Sequence, residues 1–131
     1  MIAVLVERVQ REIDELATAF PGIQATSAPD GSIEILVPRY PLPSGWNTAT
    51  CEVIVVGPPM YPDQQPDNFW CTPTISTSSG RPPGNLMGQV TKQGRTWNQH
   101  SWHWGATKWD RDCFNLATFI RSIARFFESQ S

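Results

Sequence analysis

Four prolines within nine residues constrain the fold more than any other feature of the sequence. They occupy positions 58 to 66, in the stretch GPPMYPDQQPDNFWC. Each proline ring fixes φ near −65° and removes a backbone N–H, so this stretch cannot be a regular helix or an interior strand. It follows the β-branched run CEVIVV and precedes FWC. We therefore predict a rigid, extended connector that joins two strands.

Short β-branched runs on the N-terminal side of the connector predict antiparallel strands. They cover residues 32–37 and 49–56, and turn signals bound them. In the second run Cys51 shares a face with two valines, while Ile54 lies on the opposite face. Apolar residues on both faces predict a central strand that is covered on both sides. Residues 69–71 predict a third strand, and we expect Cys51 and Cys71 to be core residues.

Helical periodicity appears at both ends of the chain. Residues 1–20 place apolar side chains at steps of three and four, and Pro21-Gly22 ends that pattern. A second pattern runs from about Asp112 to Glu128, with Asp110 and Asp112 as candidate N-terminal capping residues. Both helices should pack on the sheet, and the residues that we expect to be buried are Leu5, Val9, Ile13, Leu16, Ile120, Ile123 and Phe127. Residues 76–95 have no period, which predicts a long loop. The sequence thus predicts an α+β fold with two helices against an antiparallel meander, in one domain spanning 1–131.

Composition and charge exclude several classes of function. A net charge of −2 without a basic cluster gives no electrostatic footprint for nucleic acid. The longest apolar runs fall far short of the ~20 residues of a membrane span. Three cysteines without CxxC spacing, and no signal-peptide pattern, are typical of a protein of the reducing cytoplasm. We therefore expect a cytoplasmic protein that binds neither nucleic acid nor membranes.

The segment VIVVGPPMYPDQQPDNFWCTP resembles ubiquitin-conjugating enzymes. In that family a central strand runs into a Tyr-Pro turn, further prolines and a short strand opened by an aromatic residue. An N-terminal amphipathic helix, and a tryptophan between the active-site loop and a helix, extend the resemblance over most of the chain. We identify Trp109 as that tryptophan. The short chain and the block WNQHSWHW resemble most the prokaryotic ubiquitin-conjugating-like proteins of the bacterial family E type.

The resemblance implies a position for the reactive residue. The nucleophilic cysteine of the family lies about eight residues before the tryptophan, and Ser101 occupies this position here. The family's His-Pro-Asn motif, whose asparagine stabilises an oxyanion, is missing, although Asn98 lies nearby. The chain therefore departs from the family pattern at the residue on which the chemistry depends.

A serine nucleophile needs an adjacent general base. Two histidines flank Ser101, and both are mostly neutral at cytoplasmic pH. In an extended segment His103 shares a face with Ser101 while His100 faces away; a tight turn would reverse this preference. We expect Trp97, Trp102 and Trp104 to exclude water from an ester at Ser101.

Structural roles compete with each of these assignments. The tryptophans could be core anchors, and the histidines could satisfy buried backbone groups. The two histidines with Cys113 are an incomplete zinc site, so no metal is predicted. Cys113 is the alternative nucleophile, because a helix N-terminus would stabilise its thiolate. Asp110 and Asp112 oppose that effect, and a partly buried structural cysteine is the other interpretation.

Two functions remain open on the sequence. The first is an enzyme that accepts the C-terminal carboxyl of a ubiquitin-like modifier from an activating enzyme, as an oxyester on Ser101, and transfers it to an acceptor. The second is an inactive scaffold that binds the modifier or a partner through Trp97, Trp102, Trp104 and Trp109. The resemblance implies an activating-enzyme-like partner and a deubiquitinase-like peptidase, and neither function requires a cofactor.

Overall fold

A computed structural model describes residues 7–72, 75–81, 86–92, 94–102 and 108–130. Its elements, in chain order, are α1 (Glu7–Ala19), β1 (Gln24–Ser27), β2 (Ile33–Pro41), β3 (Thr50–Gly57), β4 (Phe69–Thr72), β5 (Leu86–Lys92), β6 (Arg95–His100) and α2 (Leu116–Gln130). Within the described residues the strands form one sheet in the order β1-β2-β3-β4-β6-β5, with antiparallel neighbours. The predicted α+β fold of helix, antiparallel sheet and helix is confirmed.

Helix α1 packs on the sheet through the apolar stripe that its sequence predicts. Val9, Ile13 and Leu16 are buried, as expected from their spacing. Leu5, which we also expected to be buried, lies outside the described residues. The helix ends before Pro21, and Gly22 follows with a φ of 87°, a conformation that glycine adopts without strain.

Helix α2 begins at Leu116, later than the predicted start near Asp112. Asn115 is its N-cap, since the Asn115 Oδ1 accepts a hydrogen bond from the Thr118 backbone N at 2.9 Å. Asp110 instead stabilises the preceding turn, where its Oδ1 accepts from the Asp112 backbone N at 2.9 Å. The capping role predicted for Asp110 and Asp112 is therefore wrong, because an Asx turn precedes the helix.

The core lies between the two helices and the inner face of the sheet. Strand β3 is central, between β2 and β4, and both of its faces hold buried residues, as predicted. From α2 the predicted residues Ile120, Ile123 and Phe127 are buried, and Phe119 and Phe126 join them. Cys51 and Cys71 are buried core residues, as expected.

The prediction of an aperiodic loop over 76–95 is wrong for much of that segment. Strands β5 and β6 form a hairpin in which Lys92 pairs with Arg95 across a two-residue connection. Gly94 in this connection has a φ of 74°, as tight hairpin turns require. The sequence did not predict strand β5, because its side chains are largely exposed and apolar and polar residues do not alternate along it.

The tip of this hairpin folds over the outer face of the sheet. Strands β5 and β2 are four strand spacings apart, which corresponds to roughly 19 Å in a flat sheet. Nevertheless, the Nζ of Lys92 lies 3.5 Å from the Oε2 of Glu34 in β2. The Lys92 Nζ also lies 4.7 Å from the ring centroid of Trp70 in β4. The folded tip thus provides the second cover that the sequence of β3 requires.

Candidate active site at the end of strand β6

Ser101 is half-buried and directly follows β6 at the edge where β4 begins. The register of these strands pairs Phe69 with His100, so continued pairing would place Asn68 opposite Ser101. Instead, the Asn68 backbone N donates to the Trp102 carbonyl O at 2.7 Å. The ladder therefore steps over Ser101, as in a β-bulge. Steps of this kind are common next to active sites, where they change the direction of individual side chains.

Trp102 is held by side-chain hydrogen bonds to two other elements. Its backbone N donates to the Asn68 Oδ1 at 3.2 Å, which makes the contact between these residues reciprocal. Its indole Nε1 donates to the Ser122 Oγ of α2 at 3.1 Å, and the indole ring packs edge-on against Phe126. We call Asn68, Trp102 and Ser122 the clamp. It fixes the chain immediately after Ser101 to both β4 and α2.

The chain immediately before Ser101 is held by packing. His100 is fully buried, and its ring stacks on Phe69 with centroids 5.2 Å apart and lies 5.4 Å from Phe126. Among the described residues, neither ring nitrogen of His100 has a hydrogen-bond partner at normal distance and angle, although Cys51 and, after it, this ring lie near enough to the Cys71 thiol to lower its pKa. This position in the core favours a packing role for His100 over that of a general base.

The three candidate binding tryptophans that the structure describes, Trp97, Trp102 and Trp109, do not form one cluster. Trp97 is fully buried, but the strand register places it on the outer face with Trp70, whereas Trp102 packs on the helix side. The Trp97 Nε1 donates to the Lys92 carbonyl O at 3.0 Å, and the Arg95 guanidinium lies over the Trp97 ring. Trp97 and Trp102 therefore lie on opposite sides of the sheet, and the exclusion of water from Ser101 by Trp97, Trp102 and Trp104 stays a prediction. His103 and Trp104 lie outside the described residues.

Asn98 lies within the sheet rather than at its edge. Its side chain is buried, its Cα pairs with Cys71, and its Oδ1 accepts a hydrogen bond from the Gln89 Nε2 at 3.2 Å. These contacts connect β6 to β5. An oxyanion-stabilising role for Asn98 stays a prediction. The contact that the structure shows is the hydrogen bond from Gln89, which helps to hold β6 against β5.

Trp109 packs against the Tyr-Pro turn of the connector. Its Nε1 donates to the Pro62 carbonyl O at 2.9 Å, and its ring contacts Tyr61 and Phe114. The Tyr61 hydroxyl in turn donates to the buried carboxylate of Glu12. Burial raises the pKa of Tyr61 above its usual value, with this hydrogen bond as a second cause. Trp109 therefore anchors the chain that returns from the site towards α2.

The Glu12 carboxylate joins α1, the proline-rich connector and the start of α2. Its Oε1 accepts a hydrogen bond from the Leu116 backbone N at 2.8 Å, so it satisfies one free N–H of the helix terminus. Arg8 lies 3.4 Å from the Glu12 Oε2 and donates to the carbonyl O atoms of Arg111 and Phe114. Glu12 is thus a structural carboxylate, and its burial does not mark a catalytic acid.

Cys113 is an exposed thiol in the turn before α2. It precedes the N-cap Asn115, so the helix-terminus stabilisation that we predicted for its thiolate is absent. The Sγ lies 3.7 Å from the Asp110 Oδ2. The negative charge of Asp110 raises the pKa of the Cys113 thiol, and Asp112 adds to this effect. These contacts oppose thiolate formation.

Comparison with known proteins identifies the family. A family model described as prokaryotic E2 family E matches residues 10–130. The chain belongs to prokaryotic E2 family E. Its fold is accordingly E2-like, and membership supports, in general terms, a ubiquitin-conjugating-like carrier that interacts with a ubiquitin-like modifier and an activating enzyme. No significant match is found among curated proteins or solved structures.

Two further observations concern what this E2-like domain contains. Across the ranges that the structure describes, no group of three His, Cys, Asp or Glu side chains is arranged to hold a metal ion. Neither helix in the described part of the chain is long and apolar enough to cross a membrane.

Sequence reasoning missed two members of the clamp. Ser122 is the polar exception on the buried face of α2, and this exception was a readable signal. Asn68 has a φ of 62°, in the left-handed region that asparagine tolerates better than most residues. However, an asparagine between Asp67 and Phe69 in a proline-rich connector does not by itself indicate what it binds.

Proposed function

We propose that this E2-like protein carries a ubiquitin-like modifier as an oxyester on Ser101. The observation that supports this most strongly is the one-residue step of the strand ladder at Ser101. Ser101 also occupies the position of the family's nucleophile. The residues on both sides of it are anchored, which holds the hydroxyl in a defined position, as acyl transfer demands.

The transfer reaction balances without a cofactor. The Ser101 Oγ attacks the carbonyl carbon of the modifier's C-terminal thioester on the activating enzyme. The C–S bond breaks, the thiolate leaves, and the hydroxyl proton passes to a base. His103 is the proposed base, because it follows Ser101 by two residues and His100 is in the core. An acceptor nucleophile, such as a lysine amine, then attacks the ester and releases Ser101.

Ser101 is a better candidate than Cys113 despite the lower intrinsic nucleophilicity of a hydroxyl. A cysteine is activated by positive charge or by a helix N-terminus. Cys113 lies outside α2, and although Arg8, Arg11 and Arg111 line the same surface pocket, the carboxylates of Asp110 and Asp112 raise the pKa of its thiol. We therefore assign no step of the transfer to Cys113.

The partners follow from this assignment. An activating-enzyme-like protein supplies the modifier in thioester form, and a deubiquitinase-like peptidase would release it from products. Trp102 and Trp109 both lie on the chain that leaves the proposed site, so they are the described tryptophans best positioned to contact the modifier tail.

Reconstitution with an activating enzyme and a modifier tests the proposal. The wild-type chain should form a covalent adduct that survives excess thiol and is cleaved by hydroxylamine. Ser101→Ala should abolish it, and Ser101→Cys should convert it to a thiol-labile adduct. His103→Ala should slow its formation by about 10² to 10⁴, the usual contribution of a general base.

Cys113→Ala is the matched control and should be charged normally. If Cys113→Ala is inactive while Ser101→Ala is charged, the thiol carries the modifier and the proposal is wrong. If no variant forms an adduct although the modifier binds the wild-type chain, the protein is a binding scaffold.

A further inference from the structure

Among the described residues, Asn68 forms two hydrogen bonds with Trp102, the residue after the proposed nucleophile. Its backbone N and its Oδ1 both bond to Trp102, at 2.7 Å and 3.2 Å. If the register of β4 and β6 continued, the Asn68 backbone would lie opposite Ser101 and not Trp102. Once the ladder has stepped over Ser101, the Trp102 backbone N–H has no partner in the strand. The side chain of Asn68 accepts a hydrogen bond from this N–H instead.

We infer that Asn68 is the positioning residue for Ser101, and that its side-chain carbonyl maintains the bulge that aims the hydroxyl at the incoming thioester. This inference rests on the proposed function. Asn68 touches neither substrate nor reacting atoms, so it acts through Trp102 and is not a catalytic residue.

Three features suit Asn68 to this role. Its φ of 62° turns the side chain back towards β6, and asparagine adopts this left-handed conformation at little cost. It immediately precedes Phe69, whose ring stacks on His100, so the same short segment contacts the chain on both sides of Ser101. Ser122 supports the arrangement from the other side, since its Oγ accepts from the Trp102 indole and donates to the Phe119 carbonyl O at 2.6 Å.

The chain contains a second contact of the same form that can serve as a control. The Asn47 backbone N donates to the Ser76 carbonyl O at 2.9 Å, and the Asn47 Oδ1 accepts from the Ser76 backbone N at 3.2 Å. This pair joins the loop after β2 to the segment after β4, in a part of the chain to which the proposed mechanism assigns no role. Loss of the side chain at Asn47 removes an equivalent bond without touching the clamp.

Three variants test the inference. Asn68→Gly keeps the left-handed backbone and its N–H but removes Oδ1. Asn68→Asp keeps an acceptor in the same place and should rescue the effect. Asn47→Gly is the matched control. Each is compared with the wild type in two measurements, the hydrogen exchange of the Trp102 amide and the single-turnover rate of charging against the concentration of charged activating enzyme.

We expect Asn68→Gly to accelerate exchange of the Trp102 amide by about tenfold, as loss of one partly buried hydrogen bond predicts. The charging rate at saturation should fall by about 10- to 100-fold, while the half-saturating concentration stays unchanged, because misplacement affects chemistry rather than docking. Asn68→Asp should remain within about threefold of the wild type on both measures, and Asn47→Gly should alter neither.

Each contrary result has a distinct meaning. Unchanged exchange of the Trp102 amide in Asn68→Gly means that the side chain does not hold the segment, which overturns the inference. Faster exchange with an unaltered charging rate overturns the positioning role. If the wild-type chain is never charged, the proposed function fails and with it the role of Asn68 in charging. The exchange measurement still decides whether Asn68 maintains the bulge.

Discussion

The segment around Ser101 and the turn around Cys113 are both short stretches with a nucleophilic side chain, but they are fixed in opposite ways. Ser101 lies between a fully buried His100 and the clamped Trp102, so aromatic packing and three elements of the fold define its place. Cys113 is exposed, and its nearest polar neighbour is the carboxylate of Asp110. The difference shows that the intrinsically weaker nucleophile occupies the better organised position.

The largest expected difference between the two regions is in stability. Phe126 contacts His100, Trp102 and Phe69, so Phe126→Ala should lower the free energy of unfolding by about 3 to 5 kcal/mol. Phe114 is half-buried beside Trp109, and Phe114→Ala should cost only about 1 to 2 kcal/mol. Urea unfolding of both variants measures this. Equal losses would mean that the Ser101 segment has no special support.

The next prediction concerns the reactivity of the Cys113 thiol. The carboxylate of Asp110 raises the pKa of Cys113, so Asp110→Asn should lower this pKa and increase the thiolate fraction at neutral pH. Alkylation of Cys113 by iodoacetamide at pH 7 should accelerate several-fold, and the rates of variant and wild type should converge at high pH, where both thiols are ionised. Asp112→Asn should produce a smaller increase.

Peptide mapping identifies which cysteine is alkylated. Because Cys51 and Cys71 are buried, the reagent should modify Cys113. A hydrogen bond with Cys71 and burial raise the pKa of the Cys51 thiol, whereas the hydrogen bond with Cys51 lowers the pKa of Cys71 to about 6, so it is burial that protects Cys71 from the reagent. An unchanged rate in Asp110→Asn would show that this carboxylate does not control the thiol and would reopen Cys113 as a nucleophile.

The smallest expected effect is that of removing Cys113 itself. Because the side chain is exposed, Cys113→Ala should change the free energy of unfolding by no more than about 0.5 kcal/mol. Thermal unfolding with Cys113→Ser as a second variant is sufficient to measure it. A loss above about 1 kcal/mol would indicate that the turn before α2 depends on the thiol, in contrast to our account.

The parts of the fold that were predictable are those whose pattern reports burial directly. The stripe of α1 and the β-branched run of β3 each place apolar residues against a core, so spacing alone indicates the element. Strand β5 lies at the sheet edge with exposed side chains, and its pairing with β6 depends on a two-residue turn rather than on alternation.

The site was predictable only in part, for a related reason. Counting back from Trp109 locates Ser101, but the contacts that hold it join residues 20 to 34 positions apart, such as Trp102 with Ser122 and Asn68 with Trp102. The start of α2 was misplaced because aspartate and asparagine both stabilise turns and cap helices, and local sequence does not tell which aspartate or asparagine fulfils which role.

Mapping the covalent bond tests the central claim most directly. After charging, trypsin separates the two candidates, since cleavage after Arg95, Lys108, Arg111 and Arg121 yields one peptide with Ser101 and another with Cys113. Tandem mass spectrometry should locate the modifier remnant on Ser101, in samples prepared with and without excess thiol. A remnant on Cys113 that disappears with thiol would contradict the account.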